Sequence, residues 1–465
     1  MNILPLFQIY ENLINNLLSS NPYFHELESK IIDIGDELTI DILREIIELI
    51  DITFKNSKER KDKYYVKATR QRTIITSIGL LTFTKTYYVD KLSKEHFSFI
   101  EEVLGLPKWS KMTLCAEVAL LKMSLDTNME YASKNAIRNH CVTRQTISTK
   151  IKQLNINQPP DITRIDTPNT LYIEIDEIHA NLQDKLNKSN KNKIVPACVI
   201  HEGHKEHFVN RKALKNKFYI SSANLSYQQL WYEVYDFVSK RYDIDKIKYI
   251  FISGDGLPAI KSFNEVFPYA IFVLDKFHYR KAINYIFKHE SLISPLADQY
   301  LRNNRIEDFK LLVKYMIDKY PHQRKYMIEK QNYLIKNISG IVNQHHPEYK
   351  CPASMEGHIS NVFARHITSR PFAFSNVGLE NKIQLIVFNQ NGYHITPNSI
   401  IKFKNEDNYY RSININSFKS NFHLQANQFV NPDDKYLSLT YSIPSIYYKG
   451  CGTRTLIKSS IKFKR

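Results

Sequence analysis

Glycine is scarce in this chain, 12 of 465 residues, and no glycine-rich phosphate loop follows any strand-like run. A doubly wound nucleotide-binding sheet is therefore disfavoured. Cysteine is scarcer still: Cys115, Cys141, Cys198, Cys351 and Cys451 lie far apart and form no C-x-x-C pair. Their spacing argues against a disulfide framework or a cysteine-rich zinc site and suits a reducing cytosol. No run reaches the roughly 20 apolar residues of a membrane span. The start, Met1-Asn2-Ile3-Leu4-Pro5, lacks the basic stretch and apolar core of a signal peptide. The expectation is a cytoplasmic protein with no membrane partner. Acid is in deficit too, with 47 Asp+Glu against 64 Lys+Arg, a formal charge of +17 and a pI near 9.3. That excess favours a polyanionic partner, DNA above all, although a ribosomal or membrane-surface protein shows the same balance. Hydrophobic residues at 43%, with 30 Tyr and 25 Phe, exclude general disorder. The length predicts about two to four domains.

Against that background three carboxylates stand out. Asp176 closes the run Leu171-Tyr172-Ile173-Glu174-Ile175, and Asp255 follows Tyr249–Ile252 in Ser253-Gly254-Asp255-Gly256. Glu356, in Ser354-Met355-Glu356-Gly357-His358, opens a helical stretch to Ile367. The β-branched and aromatic runs read as buried strands. Two Asp after strands and a Glu on a later helix suit two Mg²⁺ or Mn²⁺ ions held about 3.5–4 Å apart. Separations of 79 and 101 residues mean that only a folded domain can gather them. Each has a plainer reading, a turn or helix cap for the aspartates and a helix start for Glu356. His201, His204 and His207 mimic a zinc cluster but straddle a Glu-Gly turn.

The rest of the chain divides by pattern. Residues 1–55 read as a helical amino-terminal region, and 56–108 as a basic segment and β-hairpin. In the hairpin, Thr73–Ile78 and Leu80–Val89 flank Gly79, and Lys85, Tyr87 and Tyr88 either line DNA or serve structure. Residues 109–158 read as a helix-turn-helix-like DNA-binding module. Its third helix, capped by Thr143, has Ile147, Ile151 and Leu154 on one face and Arg144, Gln145, Ser148 and Lys152 on the other. Pro159-Pro160 begins a linker. Residues 170–290 form the core: strands at 171–176, 194–201 and 217–221, a helix at Tyr227–Arg241, then the strand before Asp255. A short helix Leu257–Val266, strand Ala270–Leu274 and helix 278–289 follow. Three strands in hairpin order, then alternating helices and strands, make an α/β domain with the ribonuclease-H-like order. Residues 291–350 read as a helical insertion, 351–390 carry the Glu356 helix, and 391–465 form a basic region of unassigned role. Strand-like runs in the last ninety residues include Ile383–Phe388 and Leu437–Tyr441, and the end, Lys458–Arg465, is basic.

The segment Ile252-Ser253-Gly254-Asp255-Gly256-Leu257-Pro258-Ala259-Ile260, with Val266-Phe267-Pro268, Asp275 and His278, resembles the Mutator-like DDE transposases of bacterial insertion sequences. More narrowly, three segments are similar to the ISLre-type branch, long filed as an uncharacterised family. They are Tyr172-Ile173-Glu174-Ile175-Asp176-Glu177 with His179 and Leu182-Gln183, Ser354–Ser360, and Thr368-Ser369-Arg370-Pro371. The likeness runs from about residue 60 to 390. It implies a ribonuclease-H-like transposase with Asp176, Asp255 and Glu356 as catalytic and metal-binding triad, acting on DNA in the bacterial cytoplasm. Asp275 and His278 have the family spacing and would stand behind the triad or near the scissile phosphate. The expected partners are the element's terminal inverted repeats and target DNA, and two ends held at once imply a homodimer or larger assembly. A nuclease of the same fold without strand transfer, or a DNA-binding relic or regulator, are the rival readings.

Overall fold

The computed structural model describes residues 23–404 apart from 107, 157–161, 184–191, 206–212 and 369–372, together with residues 11, 12, 14–16 and 19. Pro159-Pro160, most of the loop Asp184–Lys193, His207 and its segment, Ser369–Pro371, Leu437–Tyr441 and Lys458–Arg465 lie outside the described residues. The chain is mixed α/β, with helices and two sheets, and divides into two compact units. No described helix is long and apolar enough to cross a membrane.

The first unit holds helix α1 (Phe24–Asn56), the short helix α2 (Lys58–Lys63) and α3 (Phe99–Val103). Strands β1 (Tyr64–Ile75), β2 (Leu80–Asp90) and β3 (His96–Phe97) form one sheet. Over Gln71–Ile75 and Leu80–Thr84 the hairpin belongs to the second unit. Strand β1 starts at Tyr64, inside the stretch read as a polar run, because β2 runs on to Asp90 and needs a partner there. Two of the three residues weighed as a DNA-facing ribbon are core. Tyr88 is fully buried and packs edge-on against Phe54. Lys85 is buried in an ion pair with Glu101. The structural reading holds for both.

In the second unit, helices α4 (Leu114–Asp126), α5 (Met129–Asn135) and α6 (Arg144–Lys152) follow one another. Thr143 caps α6, its hydroxyl accepting from Thr146 N at 3.2 Å. Ile147 and Ile151 are buried, with Leu154 just beyond. Arg144, Gln145 and Lys152 are exposed and Ser148 is half-buried.

A five-stranded sheet follows, in the order β6-β5-β4-β7-β8. Its strands are β4 (Thr170–Asn181), β5 (Asn192–His201), β6 (Phe218–Ser221), β7 (Tyr249–Gly254) and β8 (Ile271–Leu274). β4, β5 and β6 pair antiparallel, whereas β4–β7 and β7–β8 are parallel. Successive β4 side chains alternate between two cores. Leu171, Ile173 and Ile175 meet Leu230, Trp231 and Val234 of α7 (Tyr227–Arg241). Tyr172 and Ile178 face the core that holds Met355, Val362 and Phe363. Cover on both faces explains why β4 reads as a nearly continuous apolar run. The strand runs past its expected end at Asp176 to Asn181, because β5 stays paired with it after β7 has stopped.

Beyond β8 come α8 (Lys276–Phe287), α9 (Ser294–Arg302), α10 (Ile306–Lys319), α11 (Arg324–Lys336) and α12 (Ile338–Val342). Gly340 lets α12 lie against β8, since a Cβ there would stand 2.8 Å from Leu274 N. Side chains following α12 cover that edge, with Asn343 Nδ2 donating to Phe272 O and Gln344 Nε2 to Leu274 O. The chain then forms α13 (Met355–His358), a π-helical turn Ile359–Ala364, α14 (Arg365–Ile367), α15 (Asn376–Gln390) and α16 (Pro397–Phe403).

The run Ile383–Phe388, expected as a strand, lies inside α15. Ser375 caps that helix by accepting from Gly378 N at 3.1 Å. Residues Gly378–Ile383 are all buried and Gln384–Phe388 are buried or half-buried, so neither helical nor strand periodicity survives in the run. One of these, Lys382, is fully buried and donates to Ser124 O at 2.6 Å. Burial pushes its pKa down from 10.5 to about 8, with Asp126 opposing. Between those values the unfolded chain binds the extra proton, so stability rises with pH across the window. From pH 7 to 10.5, wild type should gain roughly 3 kcal/mol relative to Lys382→Met in urea unfolding. A pH-independent difference would show that Lys382 stays charged in the fold.

Candidate metal centre

The sheet register sets the site. On the parallel pair β4–β7 the last partners are Glu174 and Ser253. Asp176 and Asp255 each stand two residues further on, just past the last paired residues of the two neighbouring chains. Both are half-buried. Asp176 Oδ1 accepts from Glu177 N at 2.8 Å, and Asp255 Oδ1 accepts from Leu257 N at 2.9 Å. Burial raises the Asp255 pKa, with the charges of Asp176 and Glu177 adding and the Leu257 bond opposing. Tyr227 donates to Glu177 Oε1 at 2.5 Å, which keeps a further carboxylate ordered beside the pair.

The Asp255 turn is held from behind by the helical segment. Tyr333 of α11 donates to Asp255 O at 2.7 Å. Gly256 has φ +82°, and a Cβ there would stand 2.5 Å from Asn337 Oδ1. Only glycine allows both the left-handed backbone and the approach of Asn337.

Asp275 closes β8 and starts α8. Its N–H donates to Gly254 O at 2.9 Å, and its carboxylate accepts from Phe277 N at 2.7 Å and His278 N at 3.4 Å. It is buried, and burial raises its pKa. The role is that of a helix cap tying β8 to β7. The helix so started carries His278, whose Nε2 lies 4.0 Å from Asp176 Oδ2 and has no hydrogen-bond partner among the described residues. Asp176 raises the His278 pKa above the ordinary histidine value, burial opposes, and Asp275 and Asp255 add to the rise.

Glu356 arrives from the other side, exposed on α13. One ligand atom each from Asp176, His278 and Glu356 lies within 4.8 Å of the others. Two of the three carboxylates chosen from sequence thus meet directly with His278, while Asp255 flanks the group from the neighbouring strand and is not part of it. Asp176 and Glu356 meet the imidazole, and the Asp255 charge acts on it from beside them. This is an oxygen-rich, negatively charged donor set in a strongly basic chain, and it fits a hard divalent cation such as Mg²⁺ or Mn²⁺.

The two described members of the histidine trio have other partners. His201 is fully buried and bonds Glu174 at 3.0 Å. His204 Nε2 lies 3.2 Å from Cys351 Sγ, and His207 is outside the described residues. Sequence reasoning gave no role to Glu174, Tyr333 or Asn337, and weighed His201 only as a member of a zinc cluster. Glu174 carried a signal, since a carboxylate in the middle of an apolar strand must find donors.

A family model described as "Uncharacterised protein family (UPF0236)" matches residues 17–402, and the chain belongs to that family. Relatives occur in Caldanaerobacter subterraneus subsp. tengcongensis. UPF0236 protein TTE2489 is 28% identical over 388 residues, covering 82% of this chain and 81% of its own. UPF0236 protein TTE0402 is 28% identical over 388 residues, covering 82% and 76%. A third relative, 27% identical over 389 residues and covering 82% and 81%, bears a name that joins eleven designations, from TTE0033 to TTE2212.

Gly256→Ala should lower stability by roughly 1–3 kcal/mol, through the strained backbone and the clash with Asn337. Chemical denaturation measures it, and an unchanged midpoint would mean that the turn carrying Asp255 is built otherwise.

Proposed function

We propose that this UPF0236 member is a DNA transposase of an insertion sequence. It cuts the element's ends and joins the freed 3′-OH ends to target DNA. The observation that carries the reading is the meeting of Asp176, His278 and Glu356 within 4.8 Å, beside Asp255, where the parallel pairing of β4 with β7 ends. Three antiparallel strands followed by two parallel ones, in the order β6-β5-β4-β7-β8, support a ribonuclease-H-like core. The exposed Arg144, Gln145 and Lys152 on a helix with an apolar back support a reading helix for the terminal inverted repeats. The charge of +17 supports a DNA partner. A relative's name joining eleven designations in one organism reads as one protein at many places in a genome. An element that moves and copies itself leaves that trace, and a resident nuclease does not.

Asp176, Asp255 and Glu356 would hold two Mg²⁺ or Mn²⁺ ions, with His278 alongside. When bound, such ions supply Lewis-acid stabilisation to the entering and leaving oxygens of an in-line displacement at phosphorus. Around them the chain's own residues do the positioning. Asp275 starts the helix that aims His278 at Asp176. Tyr333 bonds the turn that presents Asp255, and Asn337 packs against its Gly256. Two displacements follow in sequence. Water attacks the phosphodiester at the element's end and releases a 3′-OH; that hydroxyl then attacks a target phosphodiester and expels the target's 3′-oxygen. Two ends must be held together, so the DNA-bound form is a homodimer or larger, working in the DNA-associated cytoplasm of a bacterium.

Single replacement of Asp176, Asp255 or Glu356 by Ala should abolish Mg²⁺- or Mn²⁺-dependent cleavage of end DNA while leaving DNA binding intact, and Ca²⁺ should not support cleavage. Any one variant cutting at near the parental rate removes that residue from the triad. Cleavage without joining of the 3′ end to a target plasmid would favour a nuclease.

Arg144→Ala should cost roughly 1–3 kcal/mol on end DNA but not on random DNA, and Lys152→Ala should lower the salt slope by about one. Unchanged end binding by the double variant would rule out the reading helix.

A further inference from the structure

Glu174 stands two residues before Asp176 on the same face of β4 and is 1% exposed. A carboxylate so placed needs hydrogen-bond donors around it. Its Oε1 lies 3.0 Å from His201 Nε2, and its Oε2 accepts from Ser354 N at 2.8 Å and from Ser354 Oγ at 3.3 Å. Gly203 N donates to His201 Nδ1 at 3.1 Å, so the imidazole carries its proton on Nε2 and gives it to Glu174. The Tyr172 ring stacks on that imidazole with centroids 5.2 Å apart and planes 7° from parallel. The arrangement leaves His201 one orientation and one tautomer.

Ser354 is the residue before α13, the helix that carries Glu356. A serine there ordinarily caps its own helix. Here it makes no such cap, and both its N–H and its hydroxyl go to Glu174. The preceding residues are tied to the same two strands. Tyr172 Oη accepts from Lys350 N at 3.2 Å, Tyr349 Oη lies 3.2 Å from Ser253 Oγ, and Ala353 N donates to Tyr349 Oη at 3.1 Å. Residues 349–354 therefore lie across β4 and β7 as a strap fastened at Tyr172, Glu174 and Ser253. Glu356 is exposed on a four-residue helix that passes at once into a π-helical turn. The strap is what brings it to Asp176.

We propose that Glu174, oriented by His201, is the positioning residue for Glu356, holding Ser354 so that Glu356 completes the cation site with Asp176. The proposal rests on reading Asp176 and Glu356 as metal ligands. In Glu174→Gln the amide supplies one acceptor oxygen where two are needed, so either His201 or Ser354 loses its partner at unchanged side-chain volume. Re-tautomerising His201 would turn Nδ1–H against Gly203 N–H.

Mn²⁺ binding to the full chain without DNA, followed by electron paramagnetic resonance, tests this together with hydrogen exchange of the 354–358 amides. Glu174→Gln should weaken Mn²⁺ binding roughly tenfold and speed exchange there. In a Glu356→Ala background it should add less than about twofold, because it acts through Glu356. Leu171→Ala, a destabilising change on the opposite face of β4, should do neither. If Glu174→Gln does not fold, Ser354→Ala decides, with an expected weakening of about two- to threefold from one lost donor. Additive losses in the double variant would overturn the positioning role, as would Glu174→Gln and Ser354→Ala both binding as wild type while Glu356→Ala is weakened. Either result would leave the cation site standing. Wild-type Mn²⁺ binding by Glu356→Ala would instead overturn the cation reading, and the positioning role with it.

Discussion

Everything at the candidate centre depends on the parallel pairing of β4 with β7. Parallel partners place residues at the same distance along each strand side by side, so the register Glu174↔Ser253 sets Asp176 beside Asp255. The two aspartates lie 79 residues apart in the chain, and a one-residue slip would send one of them to the opposite face. Both sheet faces are apolar cores, which makes that slip costly. The same burial that builds the sheet therefore sets the spacing of the carboxylates.

β4 serves three demands at once. Its odd-numbered residues, Leu171, Ile173 and Ile175, fill one core. Its even-numbered residues go from aromatic anchor to buried carboxylate to candidate ligand: Tyr172, Glu174, Asp176. Because β5 stays paired after β7 has ended, Asp176 lies in a continuous strand yet opens onto a gap left by its parallel neighbour. The backbone there is rigid while the side chain is only half-buried, a combination that a loop does not offer.

The chain is strongly basic, yet its candidate centre is acidic. Asp176 and Glu356 meet at His278 with Asp255 beside them, and Asp176 holds that imidazole's proton to higher pH than usual. Such a concentration of like charge opposes folding unless a cation or a fixed donor meets it. The structure divides the task. Asp275 and Glu174 are satisfied by backbone N–H groups and by Ser354 and His201, whereas Asp176 and Glu356 keep oxygen atoms turned toward a common point.

Local pattern alone was enough for the strands at Leu171–Ile175, Tyr249–Ile252 and Ala270–Leu274, for α7 and for the Thr143 cap, because alternation, helical spacing and capping chemistry are properties of short windows. The mixed α/β character and the absence of a long apolar helix were legible for the same reason. Ile383–Phe388 was misread because a helix buried on all sides loses its period, and Lys85 and Tyr88 were left undecided because exposure is set by distant packing. The placing of His278 against Asp176, the use of Ser354 by Glu174 and the seat that Asn337 finds on Gly256 join residues far apart in the chain. Those contacts only the tertiary structure decided, since partners for a buried charge or a glycine turn are chosen by whatever folding brings within about 3 Å, and no local pattern records that distance.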